Sequence, residues 1–392
     1  MALKGKMVIG QSGGPTVVIN QSLVGAVLAA RKQADITGIL GARHGIRGIM
    51  EENFVDLTTQ SHEQLELVAG TPAAALGSVR LKPGQAECEK VFAAFRKHDV
   101  RYFFYIGGND SAETAHIIAE MAKDANYDFC TVHIPKTIDN DLKVTDHCPG
   151  FASAARFVAL AFMGDDRDNR ALSGVKINVV MGRHAGFLTA ASALARQEAG
   201  DGPHLIYLPE RVFDTEQFRE DVRDRVAVHG RCVVAVSEGI HDAGGNPVVT
   251  TGERDSHGNI QLSGTGALGD TLAALVREAL PKGSRVRADT FGYLQRSFPT
   301  IVSEVDAGEA RRVGEFAVNH AVDTGENGSV AIRRLASDPY ESECFITPLS
   351  SVAREAIEMK DEYINDAGND VTKAWLDYVR PLVGGLPRMG NL

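Results

Sequence analysis

The chain has 392 residues, a length that predicts two to three domains. With 44% hydrophobic and 23% charged residues, it has the composition of a globular protein with a sizeable core, which excludes an intrinsically disordered chain. The net charge of -10 argues against a nucleic-acid-binding protein, because such proteins need a broad basic surface, whereas small anionic ligands remain possible through a local group of Lys and Arg.

Short β-rich runs alternate along the chain with longer amphipathic runs. The β-rich runs are apolar on both faces, so they predict βαβ units and parallel sheets. In chain order, the predicted strands are KMVIG, ITGILGA, RYFFYIGG, FCTVHI, VKINVVMG, HLIYLP, RCVVAVSEG and GSVAIRRL. The predicted helices include NQSLVGAVLAARKQ, SAETAHIIAEMAKDA, SAARFVALAFM, GFLTAASALARQ, TEQFREDVRDRVAVHG and LGDTLAALVREAL.

These elements are too many for one core, so we predict an α/β fold of two doubly wound lobes. We expect residues 1–170 to form the first lobe, completed by C-terminal segments, and residues 171–330 to form the second. Residues 331–392 are expected to pack back on the body as a C-terminal extension. No apolar run approaches the ~20 residues of a membrane span, and the five cysteines form no CxxC pair. The sequence therefore predicts a soluble cytoplasmic protein that does not act at a membrane.

Five predicted strands end in loops rich in glycine or polar groups: QSGG, GGND, PKTIDND, MGRHAG and SEG. In doubly wound folds, ligands bind outside the carboxyl ends of the strands, where the strand order reverses. These loops therefore predict one composite ligand-binding cleft.

The first two loops have both a functional and a plain structural interpretation. Gly13 and Gly14 allow backbone N–H groups to approach an anion at a helix N-terminus, although a glycine pair also occurs in simple turns. The first loop contains neither GxxxxGK[ST] nor GxGxxG. Asn109 and Asp110 carry oxygen ligands of the kind that Mg²⁺ binds. The alternative is that Asp110 or Ser111 only caps the following helix.

The PKTIDND loop is the more specific signal. A carboxylate accepts a proton from a hydroxyl best near its own pKa, and a neighbouring carboxylate raises that pKa. Lys136, three residues before Asp139, is suited to stabilise a transferring phosphoryl group. An Asx-rich turn after Pro135 is the alternative, but it gives no reason for one lysine beside two aspartates.

PKTIDND, together with GGND, MGRHAG, SEG and GYLQRS in this order, resembles the phosphofructokinase family, and specifically its pyrophosphate-dependent branch. The resemblance extends from residue 7 to about residue 330. It implies two Rossmann-like lobes with the active site in the cleft between them, the first lobe binding pyrophosphate and Mg²⁺ and the second binding the sugar phosphate. The implied reaction is reversible, Mg²⁺-dependent phosphoryl transfer from pyrophosphate to the 1-hydroxyl of fructose 6-phosphate, a step of glycolysis and gluconeogenesis.

The resemblance also implies roles for the residues of the first lobe. Asp139 is the implied general base, and Thr137 and Asp141 line the same pocket, with Asp141 near the magnesium. The residues implied to contact pyrophosphate are Gly13, Gly14, Arg80 and Lys136.

Two positions of the resemblance concern the phosphoryl donor. The ATP-using branch has glycine where this chain has Asp110 and Lys136. Asp110 is implied to place negative charge where the α-phosphate of a nucleotide would lie, while Lys136 offsets that charge and binds pyrophosphate. The usual metal-binding aspartate of the family is Asn109 here. Because an amide oxygen binds Mg²⁺ more weakly, Asn109 is expected to reach the ion through water, with Asp110 or Asp139 carrying more of the charge.

For the second lobe, the resemblance implies groups that bind the sugar phosphate. Arg183 is implied to stabilise the transferring phosphoryl group, and Arg287 to serve the adjacent subunit, which predicts a homodimer or homotetramer with shared active sites. Taken singly, each charged residue is by default interpreted as part of a surface ion pair, but their ordered occurrence at strand ends disfavours that interpretation. The full set of implied sugar-side residues is Met181, Gly182, Arg183, Glu238, Arg287, Tyr293 and Arg296.

Two other functions remain open from the sequence. One is an ATP-dependent 6-phosphofructokinase or another sugar-phosphate kinase, which an assay of both donors distinguishes. The other is a silent regulatory subunit that binds sugar phosphate without turnover, which is disfavoured because Asp139 is present with its whole set of neighbours.

Overall fold

The computed structural model describes residues 3–81, 83–249, 266–353 and 356–390. The strands are β1 (Gly5–Gln11), β2 (Ile36–Ala42), β3 (Phe54–Asp56), β4 (Val100–Gly107), β5 (Cys130–Pro135), β6 (Gly174–Val180), β7 (Leu205–Tyr207), β8 (Arg231–Ser237), β9 (Val286–Thr290), β10 (Gly328–Ser337) and β11 (Tyr340–Thr347). The α-helices are α1 (Ile19–Ala30), α2 (Ile46–Met50), α3 (His62–Ala69), α4 (Gln85–Lys97), α5 (Asn109–Asp124), α6 (Phe151–Leu172), α7 (Phe187–Ala190), α8 (Thr215–His229), α9 (Ala267–Ala279), α10 (Glu304–Thr324) and α11 (Lys373–Val383). Short 3-10 helices cover Ala191–Ala195, Gly292–Arg296, Leu349–Ser351 and Asp361–Tyr363.

Each of the eight predicted strands is present, which confirms the alternating α/β pattern. The strands β3, β9 and β11 were not predicted. β3 has only three residues, and β9 and most of β11 alternate between less exposed and more exposed positions, so none of them is a continuous apolar run. The predicted helix at residues 186–197 forms as α7 followed by a turn of 3-10 helix.

The chain divides into two compact units. Unit 1 comprises Met1–Phe151 and Glu304–Ile357, and unit 2 comprises Ala152–Ser303 and Glu358–Leu392. These limits differ from the boundaries at residues 170 and 330 that the sequence suggests. The difference arises because α10 and β10 pack into unit 1, while the last segment of the chain returns to unit 2.

Unit 1 contains a seven-stranded sheet. Its strand order is β11-β10-β5-β4-β1-β2-β3, in which the five central strands are parallel and the two edge strands, β3 and β11, are antiparallel to their neighbours. Side chains of β4 alternate between two cores. Tyr102 and Phe104 pack with α1 and α10, whereas Phe103 and Tyr105 pack with residues of α4 and α5. Helices therefore cover both faces, as a doubly wound fold requires.

Helices α1 and α10 cross closely on one face of this sheet. A Cβ added to Gly25 would lie 2.3 Å from the carbonyl oxygen of Arg311, and one added to Gly314 would lie 2.1 Å from that of Ser22. Only glycine fits at both positions. Each helix therefore has a glycine where the backbone of the other approaches, although almost 300 residues separate the two helices in the chain.

Unit 2 contains a four-stranded parallel sheet in the order β7-β8-β6-β9. Every residue of β8 is buried. The core of this unit combines Val175, Ile177 and Val234 with Phe218 of α8 and Leu272 of α9. Within the residues that the structure describes, no helix has the length and apolar character needed to cross a membrane.

Candidate active site

In unit 1, the strand order reverses at β1. This strand pairs with β2 on one side and with β4 on the other, so the loops after β1 and β4 diverge at the switch point, where doubly wound folds bind ligands. The loop after β5 lies beside them, because β5 pairs with β4. Three of the five loops predicted to carry function therefore follow adjacent strands.

Lys136 connects these three loops. The residue is only 4% exposed, and its Nζ donates a hydrogen bond to the carbonyl oxygen of Gly14 at 2.7 Å. Its backbone N–H donates to Gly107 O at 2.9 Å, after β4. Gly13 has a φ of 74°, and a Cβ there would lie 3.2 Å from Nζ. A side chain at residue 13 would therefore crowd the ammonium group, which explains the glycine.

The segment before Arg80 also lies against this site. The N–H of Gly13 donates to Val79 O at 3.2 Å, and the hydroxyl of Ser78 donates to Gly13 O at 2.6 Å. The exposed Arg80 follows directly, so its backbone is held next to the glycine loop.

The GGND loop leads into α5, whose N-cap is Gly108. The Oδ1 atom of Asn109 accepts a hydrogen bond from the N–H of Asp110 at 2.8 Å. Asp110 is exposed in the first turn of the helix, where the helix dipole favours a negative charge. Neither Asp110 nor Ser111 is the N-cap, so the expectation that one of them caps this helix is wrong.

The segment of residues 136–150, which we call the acid loop, begins and ends at one point. Thr137 forms a bridge with Gly150, and its N–H donates to Pro149 O at 3.2 Å. Its hydroxyl oxygen accepts the N–H of Asp139 at 3.1 Å. Asn140, buried with a φ of 58°, accepts the N–H of Cys148 at 2.9 Å. The sequence did not assign Asn140 a role, because a side-chain bond across eight residues leaves no local pattern.

The acid loop contains one carboxylate with a strongly altered proton affinity. Burial, and then the negative charge of Asp139, raise the pKa of Asp141 from its usual 3.8 to about 7, against opposing contributions from Lys136 and a hydrogen bond with Thr137. A neighbouring carboxylate therefore raises a pKa here, as the sequence suggested, and the structure shows this effect at Asp141.

The donor set of unit 1 fits a magnesium ion. Asp141 ionises unfavourably in the protein alone, and a bound cation would supply the charge that stabilises its carboxylate. Within the described ranges, no group of three or more His, Cys, Asp or Glu side chains is placed to hold a metal. That finding is compatible with Mg²⁺, which typically binds one or two carboxylates together with substrate phosphates and water.

In unit 2, the predicted sugar-side residues other than Arg287, which lies within β9, follow three neighbouring strands, β6, β8 and β9. The loop after β6 packs tightly on the loop after β8. Ser237 donates its hydroxyl to Gly182 O at 2.5 Å, and a Cβ added to Gly239 would lie 2.0 Å from Arg183 O. Gly182 has a φ of 146°, in the region that favours glycine. Glu238 is buried between these loops, and its N–H donates to Val180 O at 2.9 Å.

The segment after β9 holds the loop after β6 through a residue that the sequence did not single out. Gln295 is 2% exposed; its Oε1 accepts the N–H of Met181 at 3.2 Å, and its amide donates to Gly292 O at 2.9 Å. The guanidinium of Arg296 lies 4.6 Å from the ring centre of the exposed Tyr293. Arg287 is exposed on β9. The GYLQR motif therefore contains both a positioning residue and surface groups.

The sequence as a whole matches the model of one family, described as phosphofructokinase, over residues 6–321. The chain belongs to the phosphofructokinase family. The pyrophosphate--fructose 6-phosphate 1-phosphotransferase of Rhodospirillum rubrum is 55% identical over 389 residues, which cover 98% of this chain and 96% of that protein. The protein of the same name from Halomonas elongata is 37% identical, over 97% of this chain and 94% of its own length.

A solved family structure agrees with this membership. The pyrophosphate-dependent phosphofructokinase of Marinobacter aquaeolei superposes with a TM-score of 0.87 at 35% identity, covering 98% of this chain and 94% of that one. The α/β fold with two phosphofructokinase-type lobes, expected from the resemblance, is confirmed.

Proposed function

We propose that this phosphofructokinase transfers a phosphoryl group from pyrophosphate to the 1-hydroxyl of fructose 6-phosphate, giving fructose 1,6-bisphosphate and phosphate. The family, and the names of relatives that match nearly the full chain, support the reaction. The observation that carries the choice of donor is the buried Lys136, whose Nζ lies beside the Gly13–Gly14 turn at the switch point of unit 1.

Asp139 is the general base of the proposed reaction. Its carboxylate takes the proton of the 1-hydroxyl, and the oxygen attacks the terminal phosphorus of pyrophosphate as the bond to the bridging oxygen breaks and phosphate leaves. The backbone of Asp139 is held by the hydroxyl of Thr137, at the base of the acid loop. Asp141 is a nearby carboxylate that ionises at about pH 7, so neutralising each acid separately distinguishes their roles.

Asp110 and Lys136 set the donor specificity. The exposed carboxylate in the first turn of α5 repels the additional phosphate of a nucleotide, whereas the ammonium group binds the short inorganic donor. The Gly13–Gly14 turn and Arg80 provide further contacts with pyrophosphate. Repulsion between two charges of the same sign discriminates between phosphoryl donors more strongly than the loss of an apolar contact does.

Mg²⁺ is the proposed cofactor. When bound, it neutralises part of the charge on the pyrophosphate oxygens. Asp110 and Asp141 would hold it, with Asn109 contributing through water because its Oδ1 already accepts a backbone N–H.

The sugar phosphate is bound by the loops of unit 2. Arg183 stabilises the transferring phosphoryl group, next to Met181 and Gly182, and Glu238 accepts a hydroxyl of the sugar. Tyr293 and Arg296 bind the 6-phosphate, and the exposed Arg287 does so in a neighbouring copy of the chain. The proposed assembly is a homodimer or homotetramer.

A donor assay tests this function. We expect fructose 1,6-bisphosphate to form with pyrophosphate and Mg²⁺, and no product to form with ATP or ADP. The double variant Asp110→Gly/Lys136→Gly should gain measurable turnover with ATP while losing turnover with pyrophosphate. If the wild-type chain prefers ATP, the donor assignment is wrong. If it binds fructose 6-phosphate but turns over neither donor, it is instead a silent regulatory subunit.

A further inference from the structure

The acid loop is attached to unit 1 at three places. Its base is held by Thr137 and by Gly150, whose N–H donates to Asp306 of α10 at 2.8 Å. Its far end runs along β10, where the N–H of Asp146 donates to Ile332 O at 2.8 Å and the hydroxyl of Thr145 accepts the N–H of Ile332 at 3.0 Å. The third attachment is at Asp141, whose carbonyl oxygen accepts the N–H of Ile357 at 2.8 Å, beside a bridge between Leu142 and Ala356. Asp139 and Asp141 lie between the base and the far end, so the far end contributes to how rigidly they are held.

His147 lies at the centre of the far attachment. Its side chain is 1% exposed, with Nδ1 2.8 Å from Asp146 Oδ2 and Nε2 2.5 Å from Glu309 Oε2. Both partners are carboxylates that accept hydrogen bonds, so both ring nitrogens carry protons and the ring is an imidazolium ion. The ring therefore links the acid loop to α10 through one charge-assisted hydrogen bond, to Glu309, and makes a second one within the loop, to Asp146.

The surrounding groups support this charge state. Burial acts to lower the pKa of His147, but hydrogen bonds and charges from Asp146 and Glu309 outweigh it and raise that pKa to about 9. Arg334 also donates to Asp146, at 2.9 Å. The other oxygen of Glu309 accepts hydrogen bonds from three further side chains, Tyr340, Ser342 and Arg312.

The far attachment connects to the acids by a short path. The N–H of Cys148, the residue after His147, donates to Asn140 Oδ1, and Asn140 stands between Asp139 and Asp141. A shift of the imidazolium is thus passed through one peptide and one hydrogen bond to the residue that separates the two acids.

We propose that His147 is a positioning residue for phosphoryl transfer, holding Asp139 and Asp141 in place by tying the acid loop to α10. It does not contact the reacting atoms. The attachment stands on the geometry of unit 1, whereas its effect on turnover rests on the proposed function. Misplacing a reacting group by about 1 Å costs roughly 100-fold in rate, and we expect a loss of this size in kcat.

The test compares His147→Gln with His98→Gln. His98 makes a contact of similar length with a carboxylate, 2.7 Å to Glu52, beside the amino end of β4 and away from the acid loop, which makes it a matched control. In folded His147→Gln, we expect a kcat about 100-fold lower than that of wild type, with KM values within about twofold. We also expect the backbone amides of residues 137–150 to exchange hydrogen at least 10-fold faster, while those of β1 and β4 exchange as in wild type. His98→Gln should change none of these.

Because His147→Gln leaves two carboxylates facing a neutral group, a second variant and a wild-type measurement accompany it. His147→Gln/Glu309→Gln removes one of the two charges and should show the same loop exchange and kcat loss. In the wild-type chain, exchange of residues 137–150, corrected for the intrinsic rate, should accelerate as the pH rises through about 9, while β1 and β4 stay protected.

The outcomes separate the two proposals. Unchanged loop exchange in the variants, or in the wild type at pH 10, overturns the attachment by His147. Faster loop exchange with an unchanged kcat overturns the positioning role. If the wild-type chain lacks pyrophosphate-dependent turnover, the proposed function fails, and the exchange data still decide whether His147 holds the loop.

Discussion

At the scale of single residues, the two acids of the PKTIDND motif differ in environment. The hydroxyl oxygen of Thr137 holds the backbone of Asp139, whereas Asp141 is buried enough for its pKa to rise to about 7. Placing two carboxylates in one loop is energetically unfavourable, and the proposed Mg²⁺ supplies a reason for keeping both.

Replacing Asp139 by asparagine should lower kcat by about 10²- to 10⁴-fold, because loss of the proposed general base removes proton transfer in the transition state. Binding of fructose 6-phosphate, measured by calorimetry, should remain within a few-fold of wild type. Steady-state kinetics of Asp139→Asn and Asp141→Asn side by side provides the comparison. A near-normal kcat for Asp139→Asn would transfer the role of base to another group.

Replacing Asp141 by asparagine should increase stability at pH 8 in the absence of Mg²⁺ and pyrophosphate. Since the pKa of Asp141 is raised in the folded state, the folded protein binds a proton that the unfolded chain releases between pH 3.8 and about 7. The ionised carboxylate of Asp141 therefore lowers the free energy of unfolding. This loss is complete above pH 7 and absent below pH 3.8, and its upper limit is about 4 kcal/mol.

Urea unfolding of wild type and Asp141→Asn at pH 4 and pH 8 measures this cost. The two proteins should have similar free energies of unfolding at pH 4, and the variant should be the more stable at pH 8. Equal or lower stability of the variant at pH 8 would show that the carboxylate is not destabilising in the folded chain.

At the scale of elements, the crossing of α1 and α10 ties residues 304–324 to unit 1. The close approach depends on Gly25 and Gly314, whose missing side chains leave room for a carbonyl group of the facing helix. The same helix carries Asp306 and Glu309, which hold the acid loop. The packing of α10 therefore supports the acid loop as well as the core.

Gly314→Ala should destabilise the chain by about 1–3 kcal/mol, because the added methyl group meets the backbone of Ser22 and the helices must separate. The matched control is Gly308→Ala in the same helix, where a Cβ has no atom within 4 Å. That change should leave stability unchanged or raise it by up to about 1 kcal/mol, through helix propensity. Thermal or urea unfolding measures both, and equal effects of the two changes would disprove the close crossing.

At the scale of the whole molecule, the proposed function includes sharing of residues between copies of the chain. Arg287 is exposed on β9, so its guanidinium is accessible to a partner. The net charge of -10 is consistent with binding small anions through such local cations, since they act against an acidic background.

Mixing two inactive variants tests the sharing. Asp139→Asn and Arg287→Ala chains should each have little activity alone, whereas subunit exchange should restore up to about a quarter of the wild-type rate in dimers, because half of the dimers are mixed and each has one intact site. The recovery of activity should occur only under conditions that allow subunits to exchange between dimers. Activity that equals the sum of the separate variants would place Arg287 in its own subunit's site, or outside the site altogether.

The sequence by itself determined the alternating strands and helices, the doubly wound class and the loops that carry polar groups. These are local features: apolar runs of strand length, helical periodicity, and motifs such as PKTIDND that are contiguous in the chain. The order of the motifs was enough to point to the phosphofructokinase family, which the family match confirms.

Only the tertiary structure decided which unit residues 304–357 join, that the pKa of Asp141 is raised, and how the loops are held. Asn140, His147 and Gln295 act through contacts with residues 8 to 162 positions away, and a local pattern contains no trace of such contacts. Burial likewise depends on what the folded chain places around a group, and it is burial, together with the charge of Asp139, that sets the proton affinity of Asp141.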